Sequence, residues 1–343
     1  MRARKRINTA QHKPVAVLGA GSWGTALAIQ YARAGTPTRL WGRDPQQMQQ
    51  IARDNINARY LPEGPFPALL TAHEDLTEAL DGIDEVLVSV PSHALRDMLK
   101  QLREVAGGLE RVAWATKGLE LSTGKLPHQV VAEELDADGQ YAVLSGPTFA
   151  KELARGLPTA LTIGSNDDAF AQSLAARISD ENFRAYTSDD VVGVEVGGAV
   201  KNVMAIGAGM SDGLGFGSNS RVALITRGLN EMTRFGVAMG ANRETFMGLA
   251  GMGDLVLTCT DNQSRNRRMG LALADGKSIK EAEAEIQQVV EGVLAAKAVK
   301  QAADGLGVEM PITEQIYRIL YEGIAPLDAL KALMQRAPGR ELD

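Results

Sequence analysis

Two lysines sit where lysines are least expected. Lys201 falls inside EVGGAVKNVMAIGAG, Glu195 to Gly209, a run of small and apolar side chains. Lys117 closes the apolar run RVAWATKG. Lysine is almost never fully buried without a partner. A lysine partly stripped of water in a cleft has a lowered pKa and can move protons near neutral pH. Glu195 is six residues from Lys201, nearly on another helix face, so it is not an i,i+4 partner. On spacing alone Lys201 reads equally as a snorkelling structural lysine and as a proton carrier. Lys117 reads as a strand-end cation, either solvated or set beside a substrate carbonyl or anion. Gly193, Gly197 and Gly198 let something approach the Lys201 helix: besides packing helices, they would leave room for ligands beside the amine.

Two further clusters suit a phosphorylated carbonyl compound. GLAGMGDLVLTC sets Asp254 just after paired glycines, where backbone can approach a ligand. SRNRR packs Ser264, Arg265, Asn266, Arg267 and Arg268 together. Its plain reading is a solvated basic face. Its sharper reading is a phosphate site, built from fork-shaped guanidinium, amide and hydroxyl donors.

A redox partner for such a site is written near the N-terminus. VAVLGAGSWGTALA places Gly19, Gly21 and Gly24 in G-x-G-x-x-G spacing between a strand and a helix. The first glycine permits the tight turn, the second the approach of a pyrophosphate, the third close helix–strand packing. The helix start then offers free N–H groups to phosphates. An acidic residue for a free ribose is expected about 20 residues on. That place reads WGRDP, with Arg43 19 residues after Gly24. Arginine pairs with a 2′-phosphate, and Asp44 beside it suits a free ribose, so NADP(H) is expected to be preferred and NAD(H) tolerated.

The elements that must position these groups follow from pattern. VAVLGAG, TRLWGRDP, EVLVSVPS, RVAWATKG and YAVLSGP alternate with helical stretches such as Trp23–Ala34 and His93–Val105. Such alternation indicates βαβ units and a mostly parallel sheet covered on both faces. Ligands bind at the C-terminal edge of such sheets. Residues 19–24, 42–43, 91–92, 117–118 and 146–148 are therefore expected to gather. From about Val191 helices take over, with a glycine-rich loop expected over Ser211–Ser220. The expected division is a basic, flexible tail over 1–13, a dinucleotide-binding domain over 14–190 and a helical domain over 191–343.

Bulk properties narrow the class. A chain of 343 residues is long for one core. Its net charge of −6 argues against a nucleic-acid partner. With one cysteine, Cys259, no intrachain disulfide can form, which fits the reducing cytoplasm. Cys259 itself reads as a small buried hydrophobe. The basic N-terminus lacks the apolar stretch of a secretory signal. Residues 191–210 are apolar but carry Glu195 and Lys201 centrally, which reads as a tightly packed soluble helix and not a membrane span.

Together GAGSWGTALA, ATKGLE, LSGPTFAKE, VEVGGAVKNVMAIGAGMSDGLGFGSNSRVALITRG, GLAGMGDLVLTC and SRNRR occur in order from about Val15 to Gly323. In these the chain resembles the bacterial NAD(P)-dependent glycerol-3-phosphate dehydrogenases. The resemblance implies an α/β fold: an N-terminal Rossmann doubly wound parallel sheet, then an all-α C-terminal domain like that of 6-phosphogluconate dehydrogenase. It implies reversible hydride transfer between NAD(P)H and dihydroxyacetone phosphate, giving sn-glycerol 3-phosphate for phospholipid synthesis. It also implies a homodimer, with no metal. By family pattern Ser22, Trp23, Arg43, Tyr60, Lys117, Ala150, Arg265, Val289 and Glu291 contact cofactor. Lys117, Gly146, Thr148, Asp254, Ser264, Arg265 and Asn266 sit at the substrate, and Lys201 is the proton donor and acceptor. Two departures stand out: Thr148 where the family usually has Ser, and Glu63 in NARYLPEG where the family commonly has Gly. Two other readings remain open from residues alone: a reductase of the same architecture for a different alcohol, and a protein that senses NAD(P) without turnover.

Overall fold

Alternation with period two builds the sheet. In β1 (Val15–Leu18) the side chains of Val15 and Val17 enter one core, with Leu27, Ile29 and Leu144. Ala16 and Leu18 enter a second core on the other face, with Val86, Leu99 and Trp114. Both faces are dry, so the strand is apolar throughout. The further strands are β2 (Thr38–Trp41), β3 (Leu70–His73), β4 (Glu85–Val88), β5 (Arg111–Trp114), β6 (Gln140–Ser145), β7 (Thr159–Ser165) and β8 (Phe183–Ser188). They lie in the order β3-β2-β1-β4-β5-β6-β7-β8. Every pairing is parallel except β6 with β7. Strand order reverses between β1 and β4, which is where such sheets open a crevice for ligands.

The structure is a computed structural model and describes residues 13–109, 111–135 and 139–336. The expected basic tail lies, apart from Lys13, outside the described residues. Around the sheet run α1 (Ser22–Arg33), α2 (Pro45–Asp54), α3 (Leu76–Leu80), α4 (Ser92–Val105), α5 (Pro127–Glu134), α6 (Ala150–Ala154) and α7 (Asp168–Ile178). Beyond it come α8 (Val191–Gly213), α9 (Gly217–Ala238), α10 (Asp254–Thr260) and α11 (Arg265–Ala274). The last four helices are α12 (Ile279–Ile286), α13 (Glu291–Gly305), α14 (Pro311–Glu322) and α15 (Pro326–Met334). A 3-10 turn, Arg243–Met247, and a π-helical turn, Leu249–Gly253, precede α10.

Helix α8 is the axis of the second half. Every residue from Gly193 to Ser211 is buried, so the helix has no polar face to show. It is long and apolar enough to cross a membrane, yet it lies inside the protein's own core with Met232, Phe235, Phe246, Val299 and Ile316. Cys259 belongs to the same core, and burial pushes its thiol up to about 12.

The expected loop over Ser211–Ser220 is shorter than its glycines suggest. Only Leu214–Phe216 separates α8 from α9. Gly215 and Gly217, at φ +78° and +80°, take left-handed conformations and turn the chain in that space. Three strands lack the long apolar runs of the others: β3 and β8 are half exposed, and β7 is Thr- and Ser-bounded.

Candidate active site

The first turn of α1 is prepared for phosphate. Gly19 has φ +124°, and a Cβ there would lie 2.2 Å from the Ser89 carbonyl oxygen. A Cβ on Gly24 would lie 2.0 Å from the Gly19 carbonyl oxygen. Around Gly21 there is nothing within 4 Å. Two glycines are thus demanded by packing, while the middle one faces open space. Gly21 caps α1 without a side-chain hydrogen bond, and no acidic residue stands in the first turn. The N–H groups there remain for an anion, so a dinucleotide pyrophosphate fits.

Beside that turn opens a cavity of about 400 Å³, within the range of small-ligand sites. Ser22, Trp23, Tyr60, Lys117, Thr148 and Ala150 line it from the sheet side. Lys201, Ser264, Arg265, Asn266 and Glu291 line it from the helices. Gly146, Asp254 and Val289 are not among the lining residues; Asp254 is buried and Val289 half exposed. Arg43 and Ser92 share the sheet edge but not the wall. The Trp23 Nε1 is buried and unpartnered at the cavity.

At the cavity floor the two lysines share one carboxylate. Lys117 Nζ donates to Asp254 Oδ2 at 3.0 Å, and Lys201 Nζ donates to Asp254 Oδ1. Lys201 also donates to Thr258 Oγ1 at 3.2 Å. Thr258 is one turn after Asp254 on α10 and in turn donates to the Asp254 carbonyl at 2.6 Å. Only 1% of the Asp254 side chain is exposed, 8% of Lys201 and 13% of Lys117. Burial lowers the Lys201 amine and Lys117 adds repulsion, while Asp254 raises it; the result is about 8, against an ordinary 10.5.

Glycine brings these groups together. A Cβ on Gly197 would meet the Ala250 carbonyl at 2.2 Å, and one on Gly251 the Phe246 carbonyl at 2.3 Å. Backbone therefore packs on backbone where α8 meets the π turn, which leads into α10 at Asp254. Such turns recur at functional sites. A Cβ on Gly198 would lie 2.9 Å from Ser145 Oγ and 3.5 Å from Lys117 Cγ. Gly193 is pressed on Asp190 and Thr245. These glycines pack the chain against itself, one of their two expected uses, while the space beside the Lys201 amine is the cavity that Lys201 lines.

Glu195 has its own use. Its carboxylate accepts from Trp114 Nε1 at 2.9 Å, from the His128 backbone N–H at 2.9 Å and pairs with His128 Nδ1 at 2.6 Å. It thus ties α8 to β5 and α5. Burial raises its pKa, and the pairing raises that of His128.

The SRNRR cluster divides its labour. Ser264 caps α11 by accepting from the Arg267 N–H at 3.2 Å. Asn266 Nδ2 donates to Asn202 Oδ1 at 2.9 Å, and its Oδ1 accepts from the Gly292 N–H at 2.8 Å. Arg267 pairs with Asp212 at 2.6 Å and is structural. Arg265 and Arg268 face the cavity. Sequence reasoning passed over Thr258 as well, although its i+4 spacing from Asp254 was a usable signal. Gln263 and Gln288 at the cavity carried none. Glu63, the family departure, pairs at 3.1 Å with Lys151, which lines the cavity. Among the described residues no three of His, Cys, Asp or Glu are grouped to hold a metal ion.

A Rossmann crevice, a helix start open to pyrophosphate and a lysine of lowered pKa define a two-domain, nicotinamide-dependent oxidoreductase. Residues 14–171 match the N-terminal model, and residues 190–331 the C-terminal model, of NAD-dependent glycerol-3-phosphate dehydrogenase, and the chain belongs to that family. It is 55% identical over 323 residues to the glycerol-3-phosphate dehydrogenase [NAD(P)+] of Thioalkalivibrio sulfidiphilus, covering 94% of this chain and 97% of that one. The Shewanella frigidimarina enzyme of the same name is also 55% identical, over 94% and 96%. The crystal structure of glycerol-3-phosphate dehydrogenase from Coxiella burnetii superposes with a TM-score of 0.91 at 47% identity, covering 95% of this chain and 99% of that one.

Proposed function

We propose that this chain interconverts dihydroxyacetone phosphate and sn-glycerol 3-phosphate with NAD(P)(H), supplying glycerol 3-phosphate for glycerophospholipid synthesis. The observation that carries the reading is the Lys117–Asp254–Lys201 cluster, buried at the floor of a cavity that also holds unpaired arginines. In this reading residues 14–190 hold the dinucleotide and residues 191–343 supply the substrate groups.

The dinucleotide, when bound, supplies the hydride for reduction and takes it back in oxidation. As the ketone is reduced, negative charge grows on its oxygen. Lys201 gives its Nζ proton to that oxygen, which becomes the hydroxyl; in the reverse direction its neutral amine takes the proton back. With a pKa of about 8 the amine is mostly protonated at pH 7 and still a competent base just above it. Lys117 adds positive charge beside the reacting oxygen. Asp254 holds both amines in place, and Thr258 steadies Asp254.

Arg43 supports preference for NADP(H). It is exposed just past β2, while the neighbouring Asp44 spends its carboxylate on the Gln46 and Gln47 N–H groups at the start of α2. NAD(H) is tolerated, no metal is needed, and the working form is a cytoplasmic homodimer. The test follows the oxidation of NADPH, then of NADH, with dihydroxyacetone phosphate. Turnover with both, at a lower KM for NADPH, is expected. Tight NADPH binding without oxidation by any ketose phosphate would return the reading to a sensor.

A further inference from the structure

Two cations in the cavity have no ion-pair partner among the described residues. Arg265 and Arg268 stand three residues apart on α11, hence on one face of the helix, where like charges repel. Both line the cavity, and among the described residues neither has an ion-pair or hydrogen-bond partner. The Arg268 Nε is buried as well as unpartnered. Burial, and after it the charge of Arg265, holds the Arg268 guanidinium below its ordinary pKa. The amide Nδ2 of Asn202, a residue only 3% exposed, is a further unpartnered donor on the same wall. No acidic residue stands in the first turn of α11 to offset any of this.

We propose that Arg268 is a second phosphate-binding guanidinium, gripping with Arg265 the phosphate of a phosphorylated substrate. The proposal rests on the functional reading above for its substrate, though not for its anion. A phosphate monoester carries about −1.5 to −2 charges near pH 7, which two unpaired guanidinium groups match and one does not. The lysines add little, because Asp254 already offsets half of their charge. Phosphate groups of the dinucleotide have the same chemistry, but the open start of α1 on the sheet side already provides for the pyrophosphate. Arg268 stands instead on the helical wall with Asn202 and Thr258. Arg268 also lines a second cavity, of about 490 Å³, between α11 and α12. Truncation to alanine would alter the lining of both spaces, so the test uses longer side chains.

R268Q, R268K and R265Q are compared with the natural protein in three measurements. Calorimetric binding of inorganic phosphate to the dinucleotide-free protein is expected to weaken about 10- to 100-fold in R268Q, the size of a lost charged hydrogen bond. KM for dihydroxyacetone phosphate rises by a similar factor with kcat little changed, and R268K recovers part of both. Fluorescence titration gives unchanged Kd values for NADPH and NADH. Phosphate binding and KM unaltered in R268Q overturn the proposal. So does a weakened NADPH Kd at unaltered KM, which hands the guanidinium to the cofactor. If the natural protein reduces no dihydroxyacetone phosphate while R268Q still loses phosphate, the functional reading fails and the anion site stands. Should R268Q not fold, R268K decides: a KM equal to the natural protein's removes any need for the guanidinium fork.

Discussion

The cavity holds two pairs of cations built in opposite ways. Lys117 and Lys201 are clamped on one buried carboxylate, from different segments, with the Lys117 stem packed beside Gly198. Arg265 and Arg268 share one helix face and, among the described residues, neither is paired with a carboxylate. The difference is one of task. A group that must release and regain a proton needs a pKa near the working pH, which burial and a shared counter-charge provide. A group that must hold a dianion needs permanent, uncompensated charge, and arginine supplies it because it does not titrate.

The contrast breaks most severely at Lys201. K201A removes the proton carrier and should lower kcat about 10²- to 10⁴-fold, the usual weight of general acid–base catalysis. NADPH binding, read by fluorescence, should stay near the natural value. Turnover close to normal would mean the proton comes from elsewhere. R265A tests the opposite pair. It should raise KM for the phosphorylated ketone about 10- to 100-fold, and an unchanged KM would move the phosphate to another part of the wall.

D254N would make the lysines resemble the arginines, two cations without a counter-charge. In the natural protein kcat for ketone reduction should be level below about pH 8 and fall above it, since reduction uses the ammonium form. Without the carboxylate the Lys201 amine loses its main stabilising charge, and the break should move down by about 1–3 pH units. A pH profile of kcat for the two proteins reads this directly; a profile left in place would show that Asp254 does not set the lysine's titration. The smallest effect is expected at Arg43, which is exposed. R43A should reduce the NADPH-over-NADH preference by about tenfold or less, as suits a solvent-screened contact. An unaltered ratio of kcat/KM values would take Arg43 off the 2′-phosphate.

Much of this was legible in residue order. The strands buried on both faces announce themselves as unbroken apolar runs, and the glycine turn after β1 locates the dinucleotide edge. Strands β3 and β8 are half exposed and mix polar with apolar residues, so they lack that signal. The antiparallel β7 carries no mark of its direction. At the site, Lys201, Asp254 and Arg265 stood out by type and neighbourhood. That both lysines meet one carboxylate did not, because Lys117, Lys201 and Asp254 come from three distant segments brought together by tertiary contacts such as Gly197 on Ala250 and Glu195 on Trp114. Nor does anything in SRNRR tell which arginine is structural; Asp212, at the far end of α8, decides it.

Glu195 fixes the mounting of the catalytic amine. It lies six residues before Lys201, about 9 Å along the helix axis, and is gripped by β5 and the start of α5. Lys117 follows three residues after the end of that same strand, β5. The two amines are therefore mounted on one frame, which fixes their spacing. Register is what such a mounting cannot forgive. One residue inserted between Glu195 and Lys201 would swing the amine about 100° around the helix and away from Asp254, with every contact at the Glu195 end intact.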